Sequence, residues 1–460
     1  MFPKAFEERI KKQEYIDSEA LLNALEQPSP VSIRINTRKW QKAPLNSGQV
    51  TWCKTGYYLK TRPSYTLDPL FHSGCYYPQE ASGMFIEQVF NQLVPADGQI
   101  KVLDLCAAPG GKSTHLSSLA GRKAILVSNE VIRSRASVLS ENISRWGATN
   151  AIVTQNDPSA FKALAGFFDI VLVDAPCSGE GMFRDQVARN EWSEQNAAHC
   201  SDRQKRILMD IWPALRENGI LIYSTCTFNP AENEHNIKWL ADKVEAEPVQ
   251  LNIGGFQGIR EIDYKGITGY GFYPDRIRGE GLFFSALRKK GKSDKVRKTN
   301  RTGDSLKVSK ADLAKALSVT RFPGDQIVRI GESVVALPGN FSEMHLILQS
   351  LRIVRAGTKI FTVKKSDILP SHDLALTTEL KDEAFPAAEL DLEQASLYLK
   401  RGNPEINDAP IGWFLIRYRG INIGFVNNIG TRINNYYPVE WRIRMAVPEN
   451  SEMQLVKWDQ

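Results

Sequence analysis

Eleven residues, Val102-Leu103-Asp104-Leu105-Cys106-Ala107-Ala108-Pro109-Gly110-Gly111-Lys112, decide the fold of this chain. Val102 to Leu105 is typical of a buried parallel strand, and Ser113 or Thr114 can begin the helix that follows. A strand that runs into a glycine turn and then a helix points backbone amides at a ligand, and small side chains let that ligand approach closely. We therefore expect residues 106–112 to cradle a small molecule.

Two other interpretations of this stretch are weaker. Gly110-Gly111-Lys112-Ser113 matches the end of a phosphate-binding P-loop, but that motif needs a glycine where this chain has Cys106. The GxGxxG pattern of dinucleotide-binding proteins is absent from the stretch. A strand-to-helix turn without any ligand stays open as the plain alternative.

Composition excludes several classes of protein. The chain has 460 residues, a net charge of +6 and six cysteines. No C-x-x-C pair is present, so we expect neither a disulfide framework nor a metal site. No apolar run approaches the ~20 residues that cross a bilayer, and the charged segment from Met1 to Glu26 does not resemble a secretory signal. We expect a cytoplasmic protein without a membrane partner.

Strands and helices alternate through the middle of the chain. The pattern predicts strands at 101–105, 125–129, 151–154, 169–173 and 219–224, with 266–273 and 281–287 as the last strands. Helices are predicted at 81–94, 113–120, 133–146, 201–216 and 231–246. This alternation indicates an α/β fold with a doubly wound parallel sheet, in which ligands bind at the carboxyl ends of the strands.

Smaller units flank this sheet. Residues 1–75 are expected to form an α/β unit, with helices in 1–27, a strand at 31–36 and short strands at 51–52 and 57–59. A basic linker, 291–305, precedes a unit at 306–400, with a helix at 308–317, strands within 326–370 and acidic helical residues at 376–400. Aromatic and basic residues at 412–445 predict a small β-barrel in the last unit, 401–460. Such a barrel, like the linker, can hold RNA.

Two carboxylates follow the second and third strands of the predicted sheet. An acid about 20 residues beyond a glycine turn accepts hydrogen bonds from ribose hydroxyls, which fits Glu130. Asp157 comes after the third strand and could contact an adenine. Each acid alone is also explained as a helix cap or a turn former.

Two loops carry the remaining chemistry. Asp174-Ala175-Pro176-Cys177-Ser178-Gly179-Glu180-Gly181 follows one apolar strand, and Ser224-Thr225-Cys226-Thr227 follows another. Adjacent strand ends would bring Asp174, Cys177 and Cys226 around one pocket, in surroundings that favour a thiolate. A thiolate that adds to carbon 6 of cytosine makes carbon 5 nucleophilic enough to attack a methyl sulfonium, and an acid at nitrogen 3 stabilises the charge. The residues alone leave open which thiol attacks.

These motifs identify a family resemblance. Asp104 to Lys112, Asp174 to Gly179 and Ser224 to Thr227 resemble the cofactor motif and the two cysteine motifs of the Nop/Sun-type RNA cytosine-5 methyltransferases, most closely the bacterial ribosomal RNA small subunit methyltransferase F group. Asn229-Pro230-Ala231-Glu232-Asn233-Glu234 and Gly74 to Glu80 also fit. The last third is similar to the small domains of that group through Pro370-Ser371-His372 and Tyr436-Tyr437-Pro438.

The resemblance implies a fold, a cofactor and roles for individual residues. It implies a Rossmann-like class I methyltransferase sheet at 76–290, between an N-terminal RNA-binding domain and C-terminal domains of which the last is PUA-like. S-adenosylmethionine is the implied cofactor. Its implied contacts are Cys106, Ala107, Ala108, Pro109, Gly110, Gly111, Lys112, Glu130, Asp157 and Asp174. Cys226 is the implied nucleophile and Cys177 the residue implied in product release, as base or helper.

The implied substrate is RNA. We expect 16S ribosomal RNA, free or in the assembled 30S subunit, to be methylated through a covalent cysteine–cytosine intermediate by a monomeric enzyme. Two alternatives remain at this point: a transfer RNA cytosine-5 methyltransferase, and an inactive scaffold that binds RNA and keeps only the cofactor pocket.

Overall fold

A computed structural model describes residues 1–94, 99–293, 306–364, 367–406, 409–446 and 453–459. Most of the predicted basic linker, residues 294–305, lies outside the described residues. Within the described part, no helix combines the length and the apolar character needed to cross a bilayer.

The N-terminal region contains three helices and a four-stranded sheet. The elements are α1 (Lys4–Ile10), α2 (Ser18–Leu25), β1 (Val31–Ile35), β2 (Gly48–Gln49), β3 (Gly56–Leu59), α3 (Pro69–His72) and β4 (Tyr76–Pro78), and the strand order is β2-β3-β1-β4. The strand predicted at 51–52 is wrong, because these residues form a turn. Trp52 is buried in the core there, and its indole nitrogen donates to the carbonyl oxygen of Ala81 at 2.7 Å.

The central sheet is the largest element and follows the predicted alternation. Its chain order is α4 (Ile86–Leu93), β5 (Lys101–Asp104), α5 (Gly111–Ala120), β6 (Ile125–Asn129), α6 (Arg133–Trp146), β7 (Ala151–Thr154), β8 (Phe168–Asp174), α7 (Gln186–Glu191), α8 (Glu194–Ile211), β9 (Leu215–Thr225), α9 (Glu234–Ala241), β10 (Ala246–Pro248), β11 (Arg260–Tyr264), β12 (Ile267–Phe272) and β13 (Leu282–Lys289). Strands β5 to β9 pair in parallel, and β13 adds to β9 antiparallel.

Hydrophobic side chains on both faces explain why these strands form the middle layer. All five residues of β6 are buried, and one apolar cluster covers each face of the sheet. The helix predicted at 201–216 begins earlier, at Glu194, because Ser193 caps its first turn. The helix predicted at 81–94 opens with a 3-10 turn, Ser82–Phe85, and the one predicted at 231–246 is confined to α9.

The next region contributes a strand to the central sheet. It contains α10 (Lys310–Val319), β14 (Ile327–Ile330), β15 (Ser333–Ala336), α11 (Phe341–Ser350), β16 (Ile353–Ala356), β17 (Thr358–Lys364) and β18 (Asp367–Pro370). Strands β14, β15, β17 and β18 form their own sheet, whereas β16 pairs antiparallel with β7. The central sheet therefore has the order β11-β12-β13-β9-β8-β5-β6-β7-β16, with β10 paired to β13.

The last region is built on an open sheet. Its elements are α12 (His372–Leu376), β19 (Ala387–Glu389), α13 (Leu392–Leu399), β20 (Gly412–Tyr418), β21 (Ile421–Asn428) and β22 (Ile433–Asn435), with strands in the order β19-β20-β21-β22. No closed barrel forms among the described residues, since the β19 and β22 edges do not pair with each other. The prediction of helix throughout 376–400 is wrong: the chain is helical there at α13, and β19 pairs with β20.

Candidate active site

The carboxyl ends of β5, β6, β8 and β9 bring the predicted site residues to one edge of the sheet. Cys106 to Gly110 connect β5 to α5, and Gly111 and Lys112 begin α5. Glu130 follows β6, Asp174 ends β8, and Cys226 follows β9. Gly110 caps the start of α5 at a φ of 115°, a left-handed conformation that favours glycine. It lies against Leu139 and lines neither of the two cavities described below.

The first cavity, about 420 Å³, extends along the ends of β5, β6 and β8. Among the predicted residues it is lined by Cys106, Ala108, Glu130, Asp157, Asp174, Cys177 and Cys226. Glu130 is buried; one carboxylate oxygen accepts the amide of Ile132 at 3.0 Å, and the other lies 3.7 Å from the Arg135 guanidinium. That second oxygen is ion-paired with Arg135 at a length beyond a hydrogen bond, so it can still accept hydrogen bonds from a ligand.

Asp157 lines the same cavity but also serves as a local cap. Its carboxylate accepts the amide and the hydroxyl of Ser159, and Arg206 lies 3.2 Å away. Burial alone would raise the pKa of Asp157, but the Ser159 hydrogen bonds and Arg206 outweigh it and lower the pKa. Asp157 therefore caps the turn at Ser159, and its position at the cavity is also compatible with a contact to an adenine.

The second cavity, about 390 Å³, adjoins the first. It is lined by Ala107 and Pro109 from the β5–α5 loop, by Gly111 and Lys112 at the start of α5, and by Tyr77, Gln79, Glu80, Met182 and residues 280–282. Four predicted residues line both cavities: Cys106, Ala108, Asp174 and Cys226. Cys177 lines the first cavity but not the second. The two spaces thus meet at these four residues, Asp174 and Cys226 among them.

The two thiols form a close pair. Cys177 Sγ and Cys226 Sγ lie 3.1 Å apart, and the Cys226 amide donates to Cys177 Sγ at 3.3 Å. The hydrogen bond with Cys226 and burial raise the pKa of Cys177 well above its ordinary value. The expectation that the surroundings favour a thiolate is therefore wrong for Cys177, because a neighbouring sulfur and a low dielectric both oppose its ionisation.

Asp174 is held by two partners. Its Oδ1 accepts from Ser224 Oγ at 2.6 Å, and its Oδ2 pairs with Lys112 Nζ at 2.7 Å. Burial would lower the pKa of Lys112, but Asp174, Asp104 and Cys226 together raise it, so the ammonium keeps its proton. The edge where the cavities meet therefore carries a carboxylate, an ammonium and a thiol pair.

Two acids at this site were not predicted from the sequence. Asp104 lines the second cavity, and burial raises its pKa to about 7. Ser113 donates to its Oδ2 at 2.6 Å, and its buried Oδ1 has no hydrogen-bond partner among the described residues. Glu232 accepts the amide of Ser178 at 2.8 Å and the side chain of Gln204 at 3.1 Å, which fixes the Cys177 loop. The sequence feature that could have identified Asp104 as a site residue is its position as an acid at the end of the apolar strand β5.

Three potential metal ligands lie elsewhere, between the N-terminal region and the helices α4 and α5. The donor atoms of Cys53, Glu87 and His115 all come within 4.8 Å of one another, and all three residues are buried. His115 Nε2 lies 3.2 Å from Glu87 and 3.9 Å from Cys53 Sγ. These contacts form a hydrogen-bonded link between the two regions.

Comparisons with known proteins agree with this arrangement. Family models match residues 90–288 (16S rRNA methyltransferase RsmB/F), 2–81 (the N-terminal domain of 16S rRNA methyltransferase RsmF) and 385–443 (the methyltransferase RsmF PUA domain). A ribosomal RNA small subunit methyltransferase F from Vibrio campbellii is 31% identical, over 95% of this chain and 97% of the relative. The same-named protein of Shewanella piezotolerans is 29% identical, over 91% and 89%.

Solved structures support the same fold. A methyltransferase homolog protein from Pyrococcus horikoshii is 30% identical, with a TM-score of 0.50, and the match covers 59% of this chain and 90% of that one. NSun6 from Pyrococcus horikoshii, solved with SFG, is 20% identical with a TM-score of 0.50, over 63% and 98%, a likeness of fold. The predicted Rossmann-like sheet and PUA-like unit are thereby confirmed. The chain belongs to the ribosomal RNA small subunit methyltransferase F family of RNA methyltransferases.

Proposed function

We propose that this protein transfers a methyl group from S-adenosylmethionine to carbon 5 of a cytosine in 16S ribosomal RNA, with Cys226 as the nucleophile. One observation carries the proposal: Cys226 lines both cavities together with Asp174, whereas burial raises the pKa of Cys106, the other thiol that lines both. A nucleophile that must reach a base while the methyl donor lies next to it belongs at such a junction. Cys177 lines the first cavity and not the second, which favours Cys226 for the attack.

The first cavity and the adjoining β5–α5 loop fit the cofactor. Glu130 has a carboxylate oxygen free to accept from ribose hydroxyls, and Asp157 lies at the same cavity for the adenine. Asp104 lines the second cavity next to Cys106 and Ala108, which line both, so its unpartnered Oδ1 is a suitable acceptor for the ammonium of the methionyl part where the cofactor reaches the junction. When bound here, S-adenosylmethionine supplies an electrophilic methyl group.

The target cytosine occupies the second cavity after it leaves the base stack. The Cys226 thiolate forms a bond to carbon 6, which moves electrons toward nitrogen 3 and makes carbon 5 nucleophilic. Lys112 is protonated and ion-paired with Asp174, so the pair can deliver a proton to nitrogen 3 and offset the developing charge. Asp174 accepts a hydrogen bond from the exocyclic amino group and orients the ring.

Cys177 changes its role as the reaction proceeds. In the resting enzyme its thiol keeps its proton, because the neighbouring Cys226 sulfur and burial raise its pKa. Once Cys226 is a neutral thioether, the largest cause of that raised pKa is gone, and Cys177 ionises more readily. It can then take the carbon 5 proton, so that the carbon–sulfur bond breaks with its electrons on Cys226, and nitrogen 3 returns its proton to the Lys112–Asp174 pair.

The flanking regions supply RNA contacts in this proposal. The C-terminal region matches a PUA domain family, and the matched relatives are named for ribosomal RNA methylation. The inactive-scaffold alternative does not account for two free thiols and an ion-paired carboxylate at one junction.

Labelled methyl transfer followed by nucleoside analysis tests this function. Free 16S RNA, the assembled 30S subunit and a transfer RNA pool are offered in parallel. We expect 5-methylcytosine in a 16S RNA sample and none in transfer RNA. Methylation of transfer RNA alone supports the transfer RNA alternative, and cofactor binding without any transfer supports the scaffold.

A further inference from the structure

The N-terminal helix α1 contacts both thiol loops. Arg9 Nη2 lies 2.5 Å from the carboxylate of Glu180, three residues beyond Cys177, and Arg9 Nη1 donates to the carbonyl oxygen of Phe228 at 3.3 Å, two residues beyond Cys226. Gln13 donates to the same Phe228 oxygen at 3.0 Å. One side chain near the start of the chain therefore joins two loops that are far from it in sequence.

Glu180 is the centre of this link. It is fully buried, and burial raises its pKa while Arg9 opposes that rise. Its Oε2 also accepts the amide of Phe228 at 3.3 Å. Next to it, the Gly181 amide donates to the carbonyl oxygen of Cys226 at 2.9 Å. The charge state and position of Glu180 thus act directly on the backbone that carries Cys226.

An aromatic cluster fastens α1 in this place. Phe6 packs edge-to-face on Phe183 with ring centroids 4.8 Å apart, and Phe228 stacks on Tyr273 at 5.5 Å in the same buried cluster. Apolar burial supplies the attachment, so the Arg9 contacts need only orient the loops.

We infer that Arg9 is a positioning residue for the Cys177–Cys226 pair, through Glu180 and Phe228. The inference rests on the proposed function, since it concerns the attack by Cys226. Without Arg9, Glu180 is a buried acid without a counter-charge, and its hold on the Phe228 amide weakens. A small displacement of the thiol slows the chemical step, while the cofactor cavity, which neither Arg9 nor Glu180 lines, keeps its shape.

Steady-state kinetics of Arg9→Met test this inference, with Lys4→Met as the matched control. Lys4 is an exposed cation on the same helix. We expect kcat of Arg9→Met to fall by about tenfold or more with an unchanged KM for S-adenosylmethionine, and Lys4→Met to match the wild type. Arg9→Lys should recover part of kcat, because it restores the charge but not the two-pronged contact.

A second variant guards against loss of folding. In Arg9→Met/Glu180→Gln, position 180 no longer holds a buried acid, and the glutamine oxygen can still accept the Phe228 amide; we expect part of kcat to return. The inference is overturned if Arg9→Met keeps wild-type kcat, or if it raises the cofactor KM as much as it lowers kcat. A wild-type enzyme that makes no 5-methylcytosine instead contradicts the proposed function.

Discussion

Cys177 Sγ and Cys226 Sγ lie 3.1 Å apart at the junction of two cavities, within hydrogen-bonding reach of each other. Two sulfurs at this distance cannot both be ionised without strong repulsion, so one proton is retained by the pair. The Cys226 sulfur and burial raise the pKa of Cys177 well above its ordinary value, which favours the protonated form of Cys177. The proposed division of labour, with Cys226 attacking and Cys177 assisting release, agrees with this direction and with the position of Cys226 at both cavities.

Replacing the proposed nucleophile should stop the reaction. We expect Cys226→Ser to reduce methyl transfer by about a thousandfold or more, since a hydroxyl is a far weaker nucleophile than a thiolate near neutral pH. Methyl transfer to 16S RNA measures this, with calorimetric cofactor binding as the check on folding. Cys200→Ser is the matched control, because Cys200 is a free, buried thiol on α8 that lines neither cavity. Turnover of Cys226→Ser near the wild-type rate would refute its role.

Thiol alkylation should distinguish the two cysteines. The reaction is run at about pH 7.5, roughly one unit below the ordinary pKa of a cysteine thiol. Iodoacetamide should then modify Cys226 ahead of Cys177, because the raised pKa of Cys177 favours its unreactive protonated form. Peptide mass spectrometry after a time course gives the order. In Cys226→Ala, Cys177 loses the neighbour that raises its pKa most, and its alkylation should accelerate. Faster modification of Cys177 in the wild type would reverse the assignment.

Cofactor binding should depend on pH through Asp104. Burial raises its pKa to about 7, so the carboxylate is protonated below that pH and ionised above it. If it accepts the cofactor ammonium, affinity should rise as the pH passes upward through 7, by up to about tenfold per pH unit on the acid side. Calorimetric titration between pH 6 and 8, roughly one unit on each side of that pKa, measures this, and Asp104→Asn should flatten the profile. If the cofactor affinity of Asp104→Asn depends on pH as steeply as that of the wild type, Asp104 does not bind the cofactor ammonium.

The same pKa makes a prediction about stability. An unfolded aspartate ionises near its ordinary value, about 3.9, whereas Asp104 stays protonated in the folded state until about pH 7. The cost to folding therefore grows from about pH 4 to pH 7 and stays constant above. Asp104→Asn should accordingly raise the Tm more at pH 8 than at pH 5. A Tm gain that does not change with pH would mean that Asp104 ionises normally.

The region after the basic linker should unfold together with the central sheet. Met344 on α11 is fully buried in the cluster that contains Leu103 and Val171 of the sheet. We expect Met344→Ala to lower the free energy of unfolding by about 2–5 kcal/mol in a single transition. The half-exposed Leu317 on α10 is the control, since Leu317→Ala should change little. A separate early transition in Met344→Ala would mean that the two regions unfold independently.

The sequence predicted the central sheet well because its strands are short apolar runs that end in polar loops. Because ligands bind at the carboxyl ends of the strands in such a sheet, the sequence also predicted that Asp174, Cys177 and Cys226 lie around one pocket. The sequence did not predict contacts between segments that are far apart in the chain. The pairing of β16 with β7, the burial of Trp52 in a turn and the bond from Arg9 to Glu180 all depend on packing between regions far apart in the chain. The pKa of Cys177 depends on how close its sulfur lies to that of Cys226, and the sequence does not give this distance.

Mapping the covalent intermediate tests the central claim most directly. Cys177→Ala is incubated with 16S RNA and S-adenosylmethionine, digested with nuclease and protease, and analysed by tandem mass spectrometry. Because release needs Cys177, we expect a denaturation-resistant adduct with a methylated cytidine attached to Cys226. Attachment to another residue, or full methylation by Cys177→Ala with no adduct at any time point, would contradict the account.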